Sequence, residues 1–426
     1  MAKKPKSLKV TKGANKSRKR LLLIPVFALF IKIFVIARIQ GFDWFIYSSG
    51  DAFRGLTELI DKNYAPPNAW YGADGENYLR GLTGLLKDGF FSSEGNLTYW
   101  PAGYPLLLWP LVVIFQGHFF FALALTQSAL YAAGCAFFVD EISQTRLRKY
   151  ALPLALILTL NPTLALNTIA IGYELPTLSL SLIAVAAFSR ANRLSKRRLF
   201  SAEMWIASFS LLIATIMQPR LIIFAFALFF IWALAVYPKL VASLFLIVSM
   251  FLVSIAPGIL MFRNFESNGY IAISTNLGTT MNIGAGYEST GGYTNKATGV
   301  ECPSSDGNPA AQDSSRVRCI LKWYLSNPSE TLRLAWNKTI YFWSPWFGPS
   351  ANGTMARNPW RVNHPLMETV KSESGYKLVY GNFGKFVSWL WMVGTLILML
   401  LGLRFLIRSG NLELALGLVA FSLVLV

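Results

Sequence analysis

Six charged residues stand where an otherwise apolar chain turns polar, and their types fit one kind of chemistry. Asp74 and Glu76 lie in WYGADGENYLRGL, two carboxylates beside the aromatic Tyr78. Glu174 lies in IGYELP, Arg220 in MQPRL, Arg263 in MFRNF and Lys338 in AWNKTIYFW. A carboxylate can take the proton of a hydroxyl as that hydroxyl attacks, which is general base catalysis. A guanidinium grips phosphate bidentately, and an ammonium meets it as a point charge. A base, a cationic phosphate clamp and an apolar groove are the parts needed to act on a phosphorylated lipid at a membrane surface.

Each of these residues also has a plain structural reading. Asp74 precedes Tyr78, Leu79, Leu82, Leu85 and Leu86 at near-helical spacing, so it fits an N-cap. Glu76 then fits a first-turn acid favoured by the helix dipole. Glu174, with Pro176 just behind it, fits the start of the next helix. Arg220 fits a side chain that snorkels to headgroups, and Lys338 fits an aromatic interfacial belt. The carboxylates lack a surrounding ligand cage, and His118 and His364 have no zinc-ligand spacing. No metal or other cofactor is expected.

The elements that must position these residues are apolar. The 426 residues are 54% hydrophobic and 14% charged, with a mean hydropathy of +0.44. A soluble protein would carry about 25% charged residues. This composition therefore reads as a polytopic membrane protein. The net charge of +18 does not point to nucleic acid, because nine of the basic residues lie in residues 1–20. That tail is expected in the cytoplasm. Residues 21–39 follow without a small-residue cleavage site and read as a retained first span. Lys32, inside it, needs either an interhelical partner or a route to the interface.

Residues 41–103 hold eight carboxylates against four basic groups and belong outside. Residues 104–115 are apolar but short, with Pro105 and Pro110, whereas 118–139 are long enough to cross. If both crossed, the basic loops at 146–149 and 190–198 would fall outside, against the positive-inside bias. Residues 104–115 therefore read as an interfacial or re-entrant helix. Further spans follow at 150–169, 175–188, 204–217, 221–236, 240–262 and 386–407, with a marginal one at 413–426. The expectation is an all-α bundle of about nine transmembrane helices with two large extracytoplasmic regions. Its parts are a basic tail (1–20), spans 1–7 (21–262) with the loop 41–117, a second external region (263–385) and C-terminal spans (386–426) that read as truncated. Cys302 and Cys319 share one polar loop and can pair if it faces an oxidising compartment. Cys135 sits in an apolar run as packing.

The segment DGENYLRGLTGLLKDGFFSSEGNLTYWPAGYPLLL resembles the first external loop of the GT-C glycosyltransferases. It is most similar to the branch of protein O-mannosyltransferases and aminoarabinose transferases (glycosyltransferase family 39-like). In that branch an Asp opens a D-x-x-x-Y-x-x-x-A helix, matched here by Asp74 and Tyr78 with Leu82 at the small position. The P-P-G-Y-P-L-L-L segment matches 101–108, with Ala102 in place of the second proline. NPTLALNTIAIGYELPTLSL resembles a hairpin that carries Glu174. TIMQPRLIIF is similar to an L-T-R-P turn, with Pro219 and Arg220 in exchanged order. APGILMFRNF and NPSETLRLAWNKTIYFWSPW resemble later motifs around Arg263 and Lys338. The resemblance runs over about 38–408.

It implies a hexosyl- or pentosyltransferase of the cell membrane, with a cytoplasmic N-terminus and an extracytoplasmic active site. Such an enzyme passes a sugar from a polyprenyl-phosphate donor to a hydroxyl of a protein, lipid or glycan acceptor, with inversion and without metal. Asp74, rather than Glu76 or Asp51, is then the catalytic base. Arg220, with Arg263 or Lys338, stabilises the leaving phosphate. Glu76, Tyr78 and Glu174 bind or orient substrate, and the 104–115 helix shapes the prenyl groove. Two other readings stand beside it: a lipid or sugar transporter or flippase, and a non-catalytic cell-envelope assembly subunit with a GT-C-like fold.

Overall fold

The computed structural model describes residues 12–40, 73–145, 147–160, 171–194, 201–236, 239–289, 299–303, 307–343 and 382–408. Asp51, the 195–198 part of the basic loop, His364 and the marginal span 413–426 lie outside the described residues, as does the side chain of Asp74. The described chain is all helical. Its helices are α1 (Lys12–Gln40), α2 (Ala73–Asp88), α3 (Asn96–Tyr99), α4 (Gly103–Phe115), α5 (Phe119–Ser143), α6 (Ala151–Leu160) and α7 (Glu174–Arg193). After them come α8 (Ala202–Met217), α9 (Leu221–Val236), α10 (Lys239–Asn268), α11 (Leu277–Ile283), α12 (Pro309–Ser326), α13 (Pro328–Trp343) and α14 (Asn382–Arg408).

α5 and the 243–268 part of α10 are long and apolar enough to cross a membrane, while α4, α8 and Leu221–Ile231 of α9 are apolar but shorter. Phe27, Phe30 and Phe34 of α1, Ile223 and Phe230 of α9, and Ile247 and Phe251 of α10 stand exposed. Apolar faces of this extent mark membrane association rather than a surface in water.

α7 is the centre, packed between α5 and α8, and α10 lies along α8 and α9. Small residues permit this closeness. Ala184, Ala187 and Ala191 of α7 are buried. A side chain at Gly134 of α5 would meet the Ser179 backbone oxygen at 2.9 Å. Lys32 finds an interhelical partner, its Nζ lying 5.2 Å from the centre of the Tyr131 ring.

The bundle has two chemically distinct ends. At one end Leu21 and Ile24 pack with Val139, Ile142, Leu147, Ala151, Phe405 and Leu406. Lys19 and Arg20 of α1, the 147–150 turn and the end of α14 thus converge there. Glu141, buried at the same end, accepts from Arg193 Nη2 at 2.8 Å, from Arg193 Nε at 3.0 Å and from Ser189 at 3.1 Å. Arg190 approaches Glu203 at 3.9 Å. Two cations of the 190–198 segment are therefore held by buried carboxylates of α5 and α8 instead of standing free in a loop.

At the opposite end the polar segments fold over the bundle. The 270–276 segment lies on α3, with Thr275 N donating to Thr98 O at 2.9 Å. Asn264 holds the same segment through Ala272 O at 2.7 Å. Beyond it α11, α12 and α13 form a small unit closed by a Cys302–Cys319 disulfide, the pairing allowed for in the sequence. Asp313 accepts from Gly278 N at 2.7 Å, within the first turn of α11.

Candidate functional site

α2 forms because its apolar residues fall on one stripe. Tyr78, Leu79, Leu82 and Leu85 are all buried. Asp74 lies in the first turn of this helix, one turn before Tyr78. Glu76 bonds within the helix to Arg80, at 2.8 Å and 3.1 Å, and this pair is partly exposed. Tyr78 is the hub of an aromatic cluster. Its ring meets Tyr104 at 5.2 Å, Tyr173 at 6.0 Å and Trp100 at 6.5 Å, each edge to face.

Tyr104 ties this cluster to residues 171–173, just before α7. Its hydroxyl accepts from Gly172 N at 3.1 Å and donates to Gln127 Oε1 at 3.4 Å. Burial raises the Tyr104 hydroxyl above the ordinary phenol range, so it keeps the proton it donates. The register of α4 that delivers Tyr104 depends on Gly103. A side chain there would stand 1.7 Å from the Ile216 backbone oxygen of α8.

Tyr173 and Glu174, next along the chain, carry polar groups. Gln218, after α8, bridges Tyr173 and Arg220. The amide orientation that satisfies both neighbours puts Gln218 Oε1 at 2.9 Å from the Tyr173 hydroxyl and at 3.0 Å and 2.6 Å from Arg220 Nε and Nη2. Arg220 itself is exposed. Glu174 opens α7 beside Tyr173, with its carboxylate folded back over Gly172. The structure thus brings Tyr78, Glu174 and Arg220 to one end of the bundle, together with the start of α2.

Arg263 and Lys338 are placed differently. Arg263 is fully buried and serves as a fastener. Its guanidinium donates to Phe90 O at 3.1 Å, to Leu97 O at 3.3 Å, to Ser92 O and to Asn264 Oδ1 at 2.6 Å. Those carbonyls belong to the turn after α2 and to α3, so Arg263 joins the two polar regions rather than opening toward a ligand. Lys338 belongs to the α11–α13 unit, where it donates to the Tyr324 hydroxyl at 3.2 Å, above the Tyr324 ring.

Three residues that shape the site were not singled out in the sequence: Tyr104, Tyr173 and Gln218. Two of them are chain neighbours of Glu174 and Arg220, which is the only local signal they carry. Their pairings span 45 and 68 residues and arise from helix packing. Among the described residues, no group of three or more His, Cys, Asp or Glu side chains is placed to hold a metal ion. No family profile, curated protein or solved structure matches the chain.

Proposed function

We propose that the chain is a membrane glycosyltransferase. It moves a sugar from a polyprenyl-phosphate donor to an acceptor hydroxyl on the extracytoplasmic side, with inversion. The observation that carries this reading is the convergence of the α2 start, the Tyr173–Glu174 entry to α7 and the Gln218–Arg220 turn around Tyr78.

In this reading Asp74 takes the acceptor proton as its oxygen attacks the anomeric carbon. The bond from that carbon to the phosphate oxygen breaks, and negative charge grows on the leaving lipid phosphate. Arg220 stabilises that charge. Glu174 orients a sugar hydroxyl, and the exposed apolar residues of α4, Leu107, Val113 and Ile114, border the prenyl chain. Arg263 holds the α2–α3 turn in place and takes no part in the transfer.

Nine spans with the N-terminus in the cytoplasm complete the proposal. Two features support this orientation. The basic segments gather at the end opposite the site, and the disulfide fits an oxidising compartment at the site's own end.

The test compares cell-envelope glycans by mass spectrometry in cells with the wild-type chain, without it and with Asp74→Asn at equal protein level. Loss of one glycan in both altered strains is expected. An unchanged glycan profile with Asp74→Asn would overturn Asp74 as the base. Lipid-linked sugar that crosses the bilayer with its glycosidic bond intact would favour a transporter.

A further inference from the structure

The turn between α8 and α9 is fixed by its own backbone. Gln218 N donates to Ala214 O at 2.9 Å, Leu221 N returns to Gln218 O at 3.0 Å, and Pro219 lies between them with its φ set by the ring. The Gln218 side chain then stands between a tyrosine hydroxyl and a guanidinium. Tyr173 is itself anchored, because its neighbour Gly172 donates to Tyr104. Gln218 is therefore held on one side and holds Arg220 on the other.

We infer that Gln218 is a positioning residue that aims Arg220 at a phosphate while leaving the cation's charge whole. A carboxylate in its place would also orient the guanidinium, but it would neutralise it. An amide oxygen engages the Nε and Nη2 edge and carries no net charge. The guanidinium has five donors in a fixed fork. Gln218 occupies those on one edge, and the side chain is otherwise exposed, so the other edge is presented to an anion. The ligand chemistry is a phosphate mono- or diester. The inference rests on the reading of Arg220 as the cationic clamp and adds the residue that sets its direction and strength.

The test uses the full chain in nanodiscs of neutral lipid. Three probes are compared: undecaprenyl phosphate in the bilayer, phosphatidylglycerol in the bilayer, and inorganic phosphate in solution. Wild type is expected to prefer undecaprenyl phosphate. Gln218→Glu keeps the size and both acceptor contacts but adds a negative charge. It should weaken binding about tenfold while the unfolding midpoint stays put, the result expected when a cation is neutralised before its ligand arrives. Gln218→Leu should weaken binding too, with no further effect in an Arg220→Gln background. A purely structural Gln218 would instead be rescued by Glu. Loss of binding with Arg220→Gln, but wild-type binding by both Gln218 variants, overturns the inference alone. A wild-type chain that binds none of the probes overturns the glycosyltransferase reading as well.

Discussion

Gly103 and Ile216 touch backbone to backbone: a Cβ on Gly103 would stand 1.7 Å from the Ile216 carbonyl oxygen. The contact seats α4 on α8 and sets where the next residue, Tyr104, meets Gly172. Gly103→Ala must push the two helices apart. The expected cost is about 1–3 kcal/mol, read as a lower thermal unfolding midpoint in detergent. Tyr104→Phe removes only the hydroxyl and should cost about 1–3 kcal/mol by leaving the buried Gly172 N–H unsatisfied. If Gly103→Ala unfolds at the wild-type midpoint, the seating of α4 is wrong.

Arg263 is a buried cation surrounded by carbonyl oxygens. Arg263→Met would leave the carbonyls of Phe90, Ser92 and Leu97 without this donor. Each buried orphan costs about 1–3 kcal/mol, so several kcal/mol should be lost. Hydrogen exchange should rise between residues 89 and 98 before it rises in α7. A variant of wild-type stability that loses phosphate binding would make Arg263 a ligand instead.

The Cys302–Cys319 bond closes a loop across a separation of 17 residues. Replacing both cysteines by serine should cost about 3 kcal/mol in the chain-entropy account. The loss should be local to α11–α13, seen as faster proteolysis there with α5–α10 intact. Mass spectrometry without reductant should find the two cysteines joined. Free thiols at both positions in protein purified from its native membrane would contradict an oxidising compartment.

Asp313 gives the α11–α13 unit a pH dependence. Burial raises its carboxyl above the ordinary 3.8, partly offset by the Gly278 N–H and by Arg316. The folded state therefore holds the proton more tightly than the unfolded chain. Its contribution is fully present below 3.8 and is lost as pH rises through the folded value. Asp313→Asn keeps an oxygen for Gly278 N and cannot ionise. Its unfolding midpoint should fall less than that of wild type as pH climbs through this window.

Arg148 tests the orientation. It lies in the turn where the 147–151 segment packs with the start of α1 and the end of α14. A cysteine at this position, in a chain otherwise free of cysteine, should resist membrane-impermeant alkylating reagents until the cells are opened. Labelling of intact cells would invert the topology and make α4 a crossing helix.

Much of the scaffold was legible because helices announce themselves locally. The runs 204–217 and 221–236 end in the structure at the same residues, and 104–115 is the short helix α4. Two cysteines in one polar loop allowed a disulfide on condition of an oxidising compartment, and the structure joins them. Arg263 was not legible, since a cation at the end of an apolar helix looks the same whether it faces a phosphate or a carbonyl. Arg190 and Arg193 looked like free loop charges because their partners Glu141 and Glu203 lie on other helices. Tyr78, Glu174 and Arg220 were singled out by type. Gln218, the residue that joins two of their turns, is an uncharged amide with no pattern of its own.

The fastening by Arg263 also sets an order of events during synthesis. Its carbonyl partners at Phe90, Ser92 and Leu97 precede it by 173, 171 and 166 residues. At about 5–20 residues per second, the α2–α3 turn waits roughly 10–30 s for the arginine that holds it. During that interval the carbonyls of Phe90, Ser92 and Leu97 lack this donor. A ribosome stalled before α10 leaves the turn in that form.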